Sequence, residues 1–248
     1  MINKLCIIGV GLIGGSLARA LRAAKAARTI VGHSRDAAHL QRAMELGVID
    51  RAERLLADAV RDADMVVLAV PVGAMTELLR EIAPQLSQRA AVTDVGSVKG
   101  AVVAAARDAL GARFPVFVPG HPIAGTEKSG VEASFVELFK GQRVVLTPEP
   151  DTDPGAVQRV TDMWRATGAE ILTMTAAHHD DVLAVTSHLP HMLGYTLVDA
   201  LLKLDDNKTM VALAASSFRD ATRVAASDPE MWHVICLSNR VAVVEALK

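Results

Sequence analysis

Glycines near the start of the chain have a spacing that is typical of dinucleotide sites. Gly9, Gly11 and Gly14 form the pattern GxGxxG between an apolar run and a helix-forming segment. The first glycine allows a tight turn, the second lets the backbone approach a pyrophosphate, and the third packs the helix against the strand. The start of the helix, at Leu12 and Ile13, adds free N–H groups and a positive dipole end. The sequence therefore predicts a dinucleotide site at this turn.

Two later segments are dense in polar residues that a sheet does not need, namely 94–100 (DVGSVKG) and 120–130 (GHPIAGTEKSG). Ligands of open α/β sheets bind outside the carboxyl ends of the strands. We therefore expect both segments, and Val70 and Pro71 after another predicted strand, to face the cofactor. His121 can exchange protons near neutrality, and a hydride leaves a carbinol carbon only as the hydroxyl proton is taken up. His121 is thus the candidate base of a dehydrogenase, with an ordinary surface histidine as the alternative.

The C-terminal part carries residues that suit the binding of an acid. Arg219 and Arg223 are one helical turn apart in 218–223 (FRDATR) and could hold carboxylates bidentately, with a solvated basic face as the alternative. His188 and His191 share a helix face, which admits a metal pair. No cysteine or acidic residue stands at a matching spacing, so we expect no metal site.

The end of the second predicted strand bears on the choice of nicotinamide cofactor. An acidic residue there would bind the ribose hydroxyls and select NAD. The sequence has Ser34 and Arg35, a hydroxyl and a guanidinium that suit a 2′-phosphate. Asp36 is better explained as the cap of the next helix. We therefore favour NADP, with NAD as the alternative, and expect His33 and His39 to be solvated.

Apolar runs and amphipathic stretches alternate through the first two thirds of the chain. This alternation predicts a Rossmann-type α/β fold with a doubly wound parallel sheet. The two later strands and the helix between them should extend the same sheet. The predicted strands are 5–9, 29–32, 65–70, 91–94, 115–118, 143–147 and 170–173, and the predicted helices are 14–24, 36–46, 75–82, 99–110 and 157–167.

Beyond about residue 175 every periodic segment is helical. We predict a dinucleotide-binding domain over 1–174 and an all-α domain over 175–248. A helix over 182–204 should be kinked by Pro190, which would aim a histidine. Asp228 is predicted to cap a later helix. The segment 178–181 (HHDD) is interpreted as a polar first helical turn without a chemical role.

Composition excludes several classes of protein. Hydrophobic residues make up 51% of the 248 residues, which excludes a disordered chain. The net charge of −2 gives no general attraction to nucleic acid or to an acidic membrane, and 3% aromatic residues argue against a site of stacked rings. Cys6 and Cys236 are interpreted as buried free thiols. The glycines within the first apolar run argue against a signal peptide, and no run is long enough to span a membrane, so we expect a cytoplasmic protein.

The sequence resembles the prephenate/arogenate dehydrogenases of tyrosine biosynthesis. The resemblance runs in order along the chain and rests on GVGLIGGS (9–16), DVGSVKG (94–100), GHPIAGTEKSGVEA (120–133), SHLPH (187–191) and FRDATRVAASDPEMW (218–232). It implies oxidative decarboxylation of a cyclohexadienyl acid. Hydride leaves the hydroxyl-bearing ring carbon for the nicotinamide, carbon dioxide departs and the ring becomes aromatic.

The resemblance also implies roles for individual residues. His121 is the hydrogen-bond acceptor and base for the ring hydroxyl, with Ser97 as its partner and as a cofactor contact. Arg223 and His191 bind carboxylate. The helical domains of the family pair as a dimer, so the all-α C-terminal domain is expected to be a dimerisation domain of a homodimer.

Four further residues complete this expected site. Thr126 and Glu127 line its entrance, and Arg219 and Asp220 act across the dimer interface. The family also includes members that continue for another helical segment. Because 241–248 is helical without a Gly or Pro stop, the 248 residues are compatible with a truncated chain, and the sequence does not decide whether it continues beyond Lys248.

Two departures from the family pattern affect the cofactor and the substrate. Ser34 and Arg35 stand where NAD-using members usually have Asp, and 214–217 (AASS) replaces a loop that is richer in glycine in some members. Prephenate and arogenate differ in a keto or an amino group on the side chain. The family association of NADP with arogenate favours arogenate slightly.

Two other functions compete with this interpretation. One is another Rossmann oxidoreductase with a helical C-terminal domain, such as a β-hydroxyacid dehydrogenase or a pyrroline-carboxylate reductase. The β-hydroxyacid enzymes use a catalytic lysine in the helical domain, whereas this tail is marked by SHLPH and Arg223. The other is a non-catalytic nicotinamide-sensing module, which would not need His121, Ser97 and Arg223 together.

Replacing Ser34 by Asp tests the cofactor assignment. A carboxylate binds the ribose hydroxyls of NAD and repels a 2′-phosphate, so Ser34→Asp should raise the preference for NAD by about tenfold or more. The measurement is kcat/KM for each cofactor at fixed substrate. Unchanged selectivity would contradict the proposed role of the Ser34–Arg35 pair.

Overall fold

The computed structural model describes residues 1–126 and 128–248. Glu127, expected at the site entrance, therefore lies outside the described residues. The chain divides into two compact units, Met1–His179 and Asp180–Lys248. Every strand found in the described part belongs to the first unit, and the second unit is helical.

A parallel sheet forms the centre of the first unit. Its strands are β1 (Ile2–Ile8), β2 (Ala27–His33), β3 (Arg51–Glu53), β4 (Met65–Leu68), β5 (Ala91–Asp94) and β6 (Phe117–Val118). They lie in the order β3-β2-β1-β4-β5-β6. From β1 the chain adds β2 and β3 on one side and β4, β5 and β6 on the other, so the switch point of the strand order lies between β1 and β4. Every residue of β4 and β5 is buried, as expected for strands covered on both faces. The predicted Rossmann-type sheet is confirmed.

Helices cover both faces of this sheet. They are α1 (Leu12–Ala23), α2 (Ala37–Glu45), α3 (Leu56–Val60), α4 (Val72–Ile82), α5 (Gly100–Leu110) and α6 (Pro154–Arg165). Residues of α1, α2 and α6 form one core cluster with Leu5 and Ile7 of β1, and residues of α3, α4 and α5 form the other with Cys6 and Ile8. Because successive β1 side chains enter opposite clusters, the sheet is doubly wound.

A second, smaller sheet corrects part of the prediction. It contains β7 (Gly120–Pro122), β8 (Arg143–Leu146) and β9 (Glu170–Thr173) in the order β7-β8-β9. The expectation that 143–147 and 170–173 extend the large sheet is therefore wrong. β8 pairs antiparallel with β7 and parallel with β9. An apolar run predicts a strand, but the partner that β8 finds in β7 decides which sheet it joins.

Helices and short helical turns make up the second unit. The helices from residue 176 onward are α7 (Ala176–Leu183), α8 (Leu189–Leu202), α9 (Asn207–Leu213), α10 (Ser216–Thr222), α11 (Pro229–Ser238) and α12 (Arg240–Ala246). Asp228 caps α11 as predicted, because its Oδ1 accepts the backbone N–H groups of Glu230 and Met231 at 2.9 and 3.2 Å. Across the residues described, no helix is both long and apolar enough to cross a membrane.

The predicted continuous helix with a kink at Pro190 is also wrong. A π-helical turn (Ala184–His188) separates α7 from α8, and Pro190 lies in the first turn of α8. Proline fits there because the N–H groups of a first turn have no partner within the helix. The departure from regular α-helix beside His188 and His191 is thus the π-helical turn, and Pro190 lies after it.

The two cysteines differ in burial. Cys6 is free and fully buried in β1, and burial raises the pKa of its thiol to about 12. Cys236, on α11, is free but only half-buried, which corrects the expectation that it is a core residue. Partial burial raises the pKa of the Cys236 thiol as well.

The glycines of the first turn have different structural requirements. Gly9 has a φ of +95°, which favours glycine. A Cβ built on Gly14 would lie 2.1 Å from the carbonyl oxygen of Gly9, whereas a Cβ on Gly11 would meet nothing within 4 Å. Gly14 is therefore required by helix–strand packing, and Gly11 faces open space.

Alanine at these two positions separates folding from ligand approach. Gly14→Ala forces a backbone shift and should lower the free energy of unfolding by about 1–3 kcal/mol. Gly11→Ala, at a φ of −82°, should lower it much less. Thermal unfolding without cofactor is the measurement. Equal losses in the two variants would contradict the packing role of Gly14.

Candidate active site

The glycine turn has the features of an anion site. Gly11 is the N-cap of α1 without a side-chain hydrogen bond, and no acidic residue lies in the first helical turn. The first N–H groups of a helix lack intrahelical partners, so α1 can offer them to a phosphate. Val70 lies beside the turn, because a Cβ on Gly9 would be 2.9 Å from its Cγ1. The turn, with Leu12, Ile13 and the exposed Pro71 after β4, fits a dinucleotide pyrophosphate.

The end of β2 holds the residues expected to choose the cofactor. Asp36 caps α2 as predicted, since its Oδ1 accepts the N–H groups of Ala38 and His39 at 2.8 and 3.2 Å. Ser34 is half-buried and its Oγ accepts the N–H of Asp36, while Arg35 is exposed. One Asp36 oxygen is thus engaged by the helix, and the Arg35 guanidinium faces solvent.

Two histidines support this region, which corrects the expectation that they are solvated. His33 is buried, and its Nδ1 donates to the carbonyl of Glu53 at 2.9 Å. His39 is half-buried, and its Nε2 donates to the carbonyl of Val10 at 2.9 Å. These donor roles follow because a carbonyl oxygen only accepts. The two bonds connect β2 with β3 and α2 with the glycine turn.

A buried ion pair connects the end of β5 with the start of β7. Asp94 and Lys99 are both fully buried, and the Lys99 ammonium binds Asp94 Oδ2 directly. The same ammonium donates to the carbonyl of Gly120 at 2.6 Å, and Asp94 Oδ1 accepts the N–H of Gly120 at 3.0 Å. Asp94 Oδ2 also accepts the N–H of Gly96 at 2.8 Å. The pair therefore fixes the backbone immediately before His121.

Sequence reasoning selected the segment of this ion pair but gave its charges no role. A buried charge is stable only when it is paired and hydrogen-bonded, so Asp94 and Lys99 depend on each other. The sequence contained one signal that was not used. Two opposite charges flank an otherwise small and apolar turn, VGSV, directly after a buried strand.

His121 lies in a strand, where a loop was expected. It belongs to β7 and is in register with Val145 of β8. Its Nδ1 is 2.9 Å from Nε2 of His179, and the two rings meet edge to face with centroids 5.1 Å apart. His121 is 9% exposed and His179 is fully buried. The ring of the predicted base is therefore held by a second histidine.

His179 is the functional residue that sequence reasoning missed. It lies in the first turn of α7, in the segment to which no chemistry was assigned. Nothing in the local pattern HHDD separates a buried histidine from a solvated one. The signal lies in tertiary structure, since β9 and β7 flank β8 and thereby bring residues 121 and 179 together.

Two further residues predicted in the first unit differ in exposure. Ser97 is half-buried in the turn between Gly96 and Lys99. Thr126 is exposed, and its Oγ1 accepts the N–H of Lys128 at 3.2 Å. The substrate role of Thr126 stays a prediction.

The second unit places a histidine and an arginine near each other. His191 is half-buried and stacks on Trp232, with ring centroids 3.5 Å apart. Its Nδ1 donates to the carbonyl of Ser187 at 2.9 Å. Burial lowers the pKa of His191, the Ser187 bond opposes this effect, and the positive charge of Arg223 lowers the pKa further. Arg219, on α10, and Arg223, in the 3-10 turn that follows α10, are exposed.

This arrangement can perform proton transfer in one unit and anion binding in the other. A glycine turn suited to a dinucleotide and a buried histidine pair belong to Met1–His179. An exposed guanidinium and a stacked histidine belong to Asp180–Lys248. No group of three His, Cys, Asp or Glu side chains arranged to hold a metal is found in residues 1–126 and 128–248.

Family models match nearly the whole chain. Residues 17–173 match the model described as prephenate dehydrogenase, nucleotide-binding domain. Residues 175–248 match the model described as prephenate dehydrogenase, dimerization domain. Together the two models cover both units.

Individual proteins show the same similarity. A cyclohexadienyl dehydrogenase of Zymomonas mobilis is 41% identical over 99% of this chain and 84% of its own length. The crystal structure of the prephenate dehydrogenase of Aquifex aeolicus, in complex with hydroxyphenyl propionate and NAD+, has a TM-score of 0.93 at 38% identity. The superposition with this crystal structure covers 100% of this chain and 86% of the Aquifex aeolicus chain. An arogenate dehydrogenase of Synechocystis has a TM-score of 0.83 at 33% identity, over 98% of this chain and 86% of its own.

Removing the Lys99 ammonium tests the buried ion pair. Lys99→Met leaves the Asp94 carboxylate buried without its cation and should lower the free energy of unfolding by about 3–5 kcal/mol. The double variant Asp94→Asn/Lys99→Met should recover much of this loss. Denaturant unfolding is the measurement.

The control is an exposed ion pair of similar length. Arg80 binds Asp108 at 2.7 Å, with side chains 59% and 66% exposed. Arg80→Met should change the unfolding midpoint little. Equal effects of Lys99→Met and Arg80→Met would show that the buried pair does not hold the two strand ends together.

Proposed function

Because the chain belongs to the prephenate dehydrogenase family, it is an NAD(P)-dependent oxidoreductase of tyrosine biosynthesis, and we propose how its residues perform the oxidative decarboxylation. The observation that carries the proposal is the buried pair formed by His121 of β7 and His179 of α7, in the unit that contains the dinucleotide fold. A histidine whose Nδ1 is held by a hydrogen bond can use Nε2 to accept a hydroxyl proton.

The reaction needs a proton acceptor at the ring hydroxyl. We assign this role to Nε2 of His121, with Ser97 as its partner and as a contact of the cofactor. The bound nicotinamide supplies the acceptor for the hydride from the hydroxyl-bearing carbon. The C–H and O–H bonds of the hydroxyl-bearing carbon break, and the bond between the ring and its carboxylate breaks as well. Carbon dioxide leaves, and the electron pair of the broken ring–carboxylate bond completes the aromatic ring. Aromatisation drives the reaction, so the protein mainly positions the substrate.

A carboxylate of the substrate is assigned to the second unit. Arg223 carries a permanent charge and a bidentate fork of donors, so it is proposed as the main carboxylate ligand. His191 donates from Nδ1 to Ser187, so its Nε2 accepts hydrogen bonds when the ring is neutral. His191 can therefore donate from Nε2 to a carboxylate only after taking up a proton, which its lowered pKa disfavours. Thr126 and Glu127 at the entrance, and Arg219 across a dimer interface, complete the proposed set.

The cofactor is proposed to be NADP. The Asp36 carboxylate caps α2, and Arg35 is exposed beside Ser34, which supports binding of a 2′-phosphate. The Aquifex aeolicus relative was crystallised with NAD+, so NAD is the second candidate. The contacts proposed for either dinucleotide are Gly9, Gly11, Leu12, Ile13, Gly14, Ser34, Arg35, Val70, Pro71 and Ser97.

The substrate is proposed to be arogenate, prephenate or both. Relatives named for prephenate, arogenate and cyclohexadienyl substrates are all similar to this chain. These acids share the ring hydroxyl that His121 would deprotonate and the ring carboxylate that is lost. They differ only in the side-chain keto or amino group, and the cofactor assignment favours arogenate.

The chain is proposed to act as a homodimer through residues 175–248, with the dinucleotide domain over 1–174. The match to a dimerization domain supports this assembly. Large apolar side chains of the second unit are exposed, which a partner surface would cover: Leu193, Leu197, Leu213, Val241 and Val244. A cytoplasmic location is also proposed, in keeping with free cysteines.

Turnover of two acids with two cofactors tests the proposed function. Purified protein should reduce NADP or NAD in the presence of arogenate or prephenate, with the highest kcat/KM for arogenate and NADP. His121→Asn should lower kcat by about 100-fold or more, because general-base catalysis is lost, while cofactor affinity changes little. The measurements are absorbance of the reduced cofactor and a dinucleotide binding titration.

Three results of this experiment would contradict parts of the proposal. No turnover of either acid with either cofactor would exclude the reaction. Equal losses of kcat and cofactor affinity in His121→Asn would indicate a structural role for the histidine. A preference for prephenate and NAD would exclude the proposed choice of substrate and cofactor.

A further inference from the structure

We propose that His179 is the positioning residue that selects the tautomer of His121 and stabilises it as it takes up the substrate proton. The proposal rests on the proposed role of His121 as the base. His179 would act through the side chain of His121, and the two histidines would form a buried dyad.

The contact between the two histidines is direct and shielded from water. His121 Nδ1 and His179 Nε2 are 2.9 Å apart, within hydrogen-bond distance. The rings are inclined by 67°, so the edge of one ring points at the other. With His121 9% exposed and His179 fully buried, water has little access to compete for this bond.

The direction of the hydrogen bond between the two rings determines which nitrogen of His121 can be the base. A neutral imidazole has one N–H donor and one acceptor nitrogen, and the partner of one nitrogen sets the state of the other. When His121 donates from Nδ1 to Nε2 of His179, its own Nε2 has a free electron pair. The opposite arrangement would put the proton on Nε2 of His121 and prevent it from accepting another.

The backbone fixes His179 at the required place. α7 begins directly after β9, and Thr175 anchors its first turn by accepting the N–H groups of His178 and His179 at 3.2 and 3.0 Å. β9 pairs with β8, Thr173 opposite Leu146, while His121 on β7 is opposite Val145. Val145 and Leu146, which are adjacent in β8, therefore pair with the two strands that lead to His121 and His179.

His179 contributes to the stability of the imidazolium form of His121, beside the charges around the dyad. The groups packed against the backbone of β7 are Asp94 and Lys99, whose opposite charges bind each other and the Gly120 peptide. On α7 the titratable neighbours in sequence are His178, Asp180 and Asp181. When His121 gains the substrate proton, its Nδ1–H becomes a stronger donor, and His179 Nε2 is the acceptor that it meets.

Two amide variants of His179 test the proposal. The Gln amide oxygen reaches about as far as Nε2 of histidine and can accept the Nδ1–H of His121, whereas the Asn amide is one methylene shorter. His179→Gln should keep kcat within about threefold of the wild type. His179→Asn should lower kcat by about 10- to 100-fold, with little change in cofactor affinity, because an orienting hydrogen bond is lost.

The pH profile separates positioning from a merely structural role. Loss of the acceptor destabilises the protonated form of His121 more than the neutral form. The acid limb of the kcat/KM profile should therefore move to lower pH in His179→Asn and stay in place in His179→Gln. Equal losses of kcat in both variants without any movement of the acid limb would overturn the proposal, as would wild-type kcat and pH profile in His179→Asn.

Comparison with His121→Asn distinguishes this proposal from the function on which it rests. If His121→Asn is inactive and His179→Asn is fully active, only the positioning role fails. If His121→Asn retains wild-type turnover, His121 is not the base, and both the proposed mechanism and the role of His179 fail. Dinucleotide affinity of each variant, measured by titration, reports on the integrity of the folded unit in every case.

Discussion

The buried ion pair of Asp94 and Lys99 is the interaction on which the site depends. It joins the end of β5 to Gly120, at the start of β7, through both the N–H and the carbonyl of that residue. The large sheet and the small sheet are thereby held at a fixed distance within one unit. Neither charge is stable in this position alone, so the fold obtains a rigid connection only when both side chains are in place. His121 is the next residue along the chain.

β8 has a corresponding role in the small sheet. It lies between β7 and β9, and α7 begins directly after β9, so a strand without any proposed catalytic residue brings two histidines together. The contact between them joins positions that are 58 residues apart in sequence. Dinucleotide binding is proposed for the turn after β1 and proton acceptance for β7. The two halves of the proposed reaction thus rest on different sheets.

Local features of the fold were predictable from the sequence, and long-range pairings were not. The glycine turn, the Asp36 and Asp228 caps and the buried parallel strands depend on short-range rules, and the structure has all of them. The sheet that 143–147 joins depends on β7, which no apolar pattern marks, since it contains Gly, His and Pro. His179 and the Asp94–Lys99 pair were missed for a related reason. Their burial is decided by segments distant in sequence, so residue type alone does not distinguish them from solvated charges.

The thiol of Cys6 has a consequence for the dynamics of the dinucleotide fold. It lies on the central strand β1 without exposed surface, and its raised pKa keeps it protonated at neutral pH. A thiol reagent attacks the thiolate, so Cys6 is inert while the sheet is closed and becomes reactive only when the core opens. The rate at which a thiol reagent modifies Cys6 therefore measures how often the cofactor-binding sheet opens.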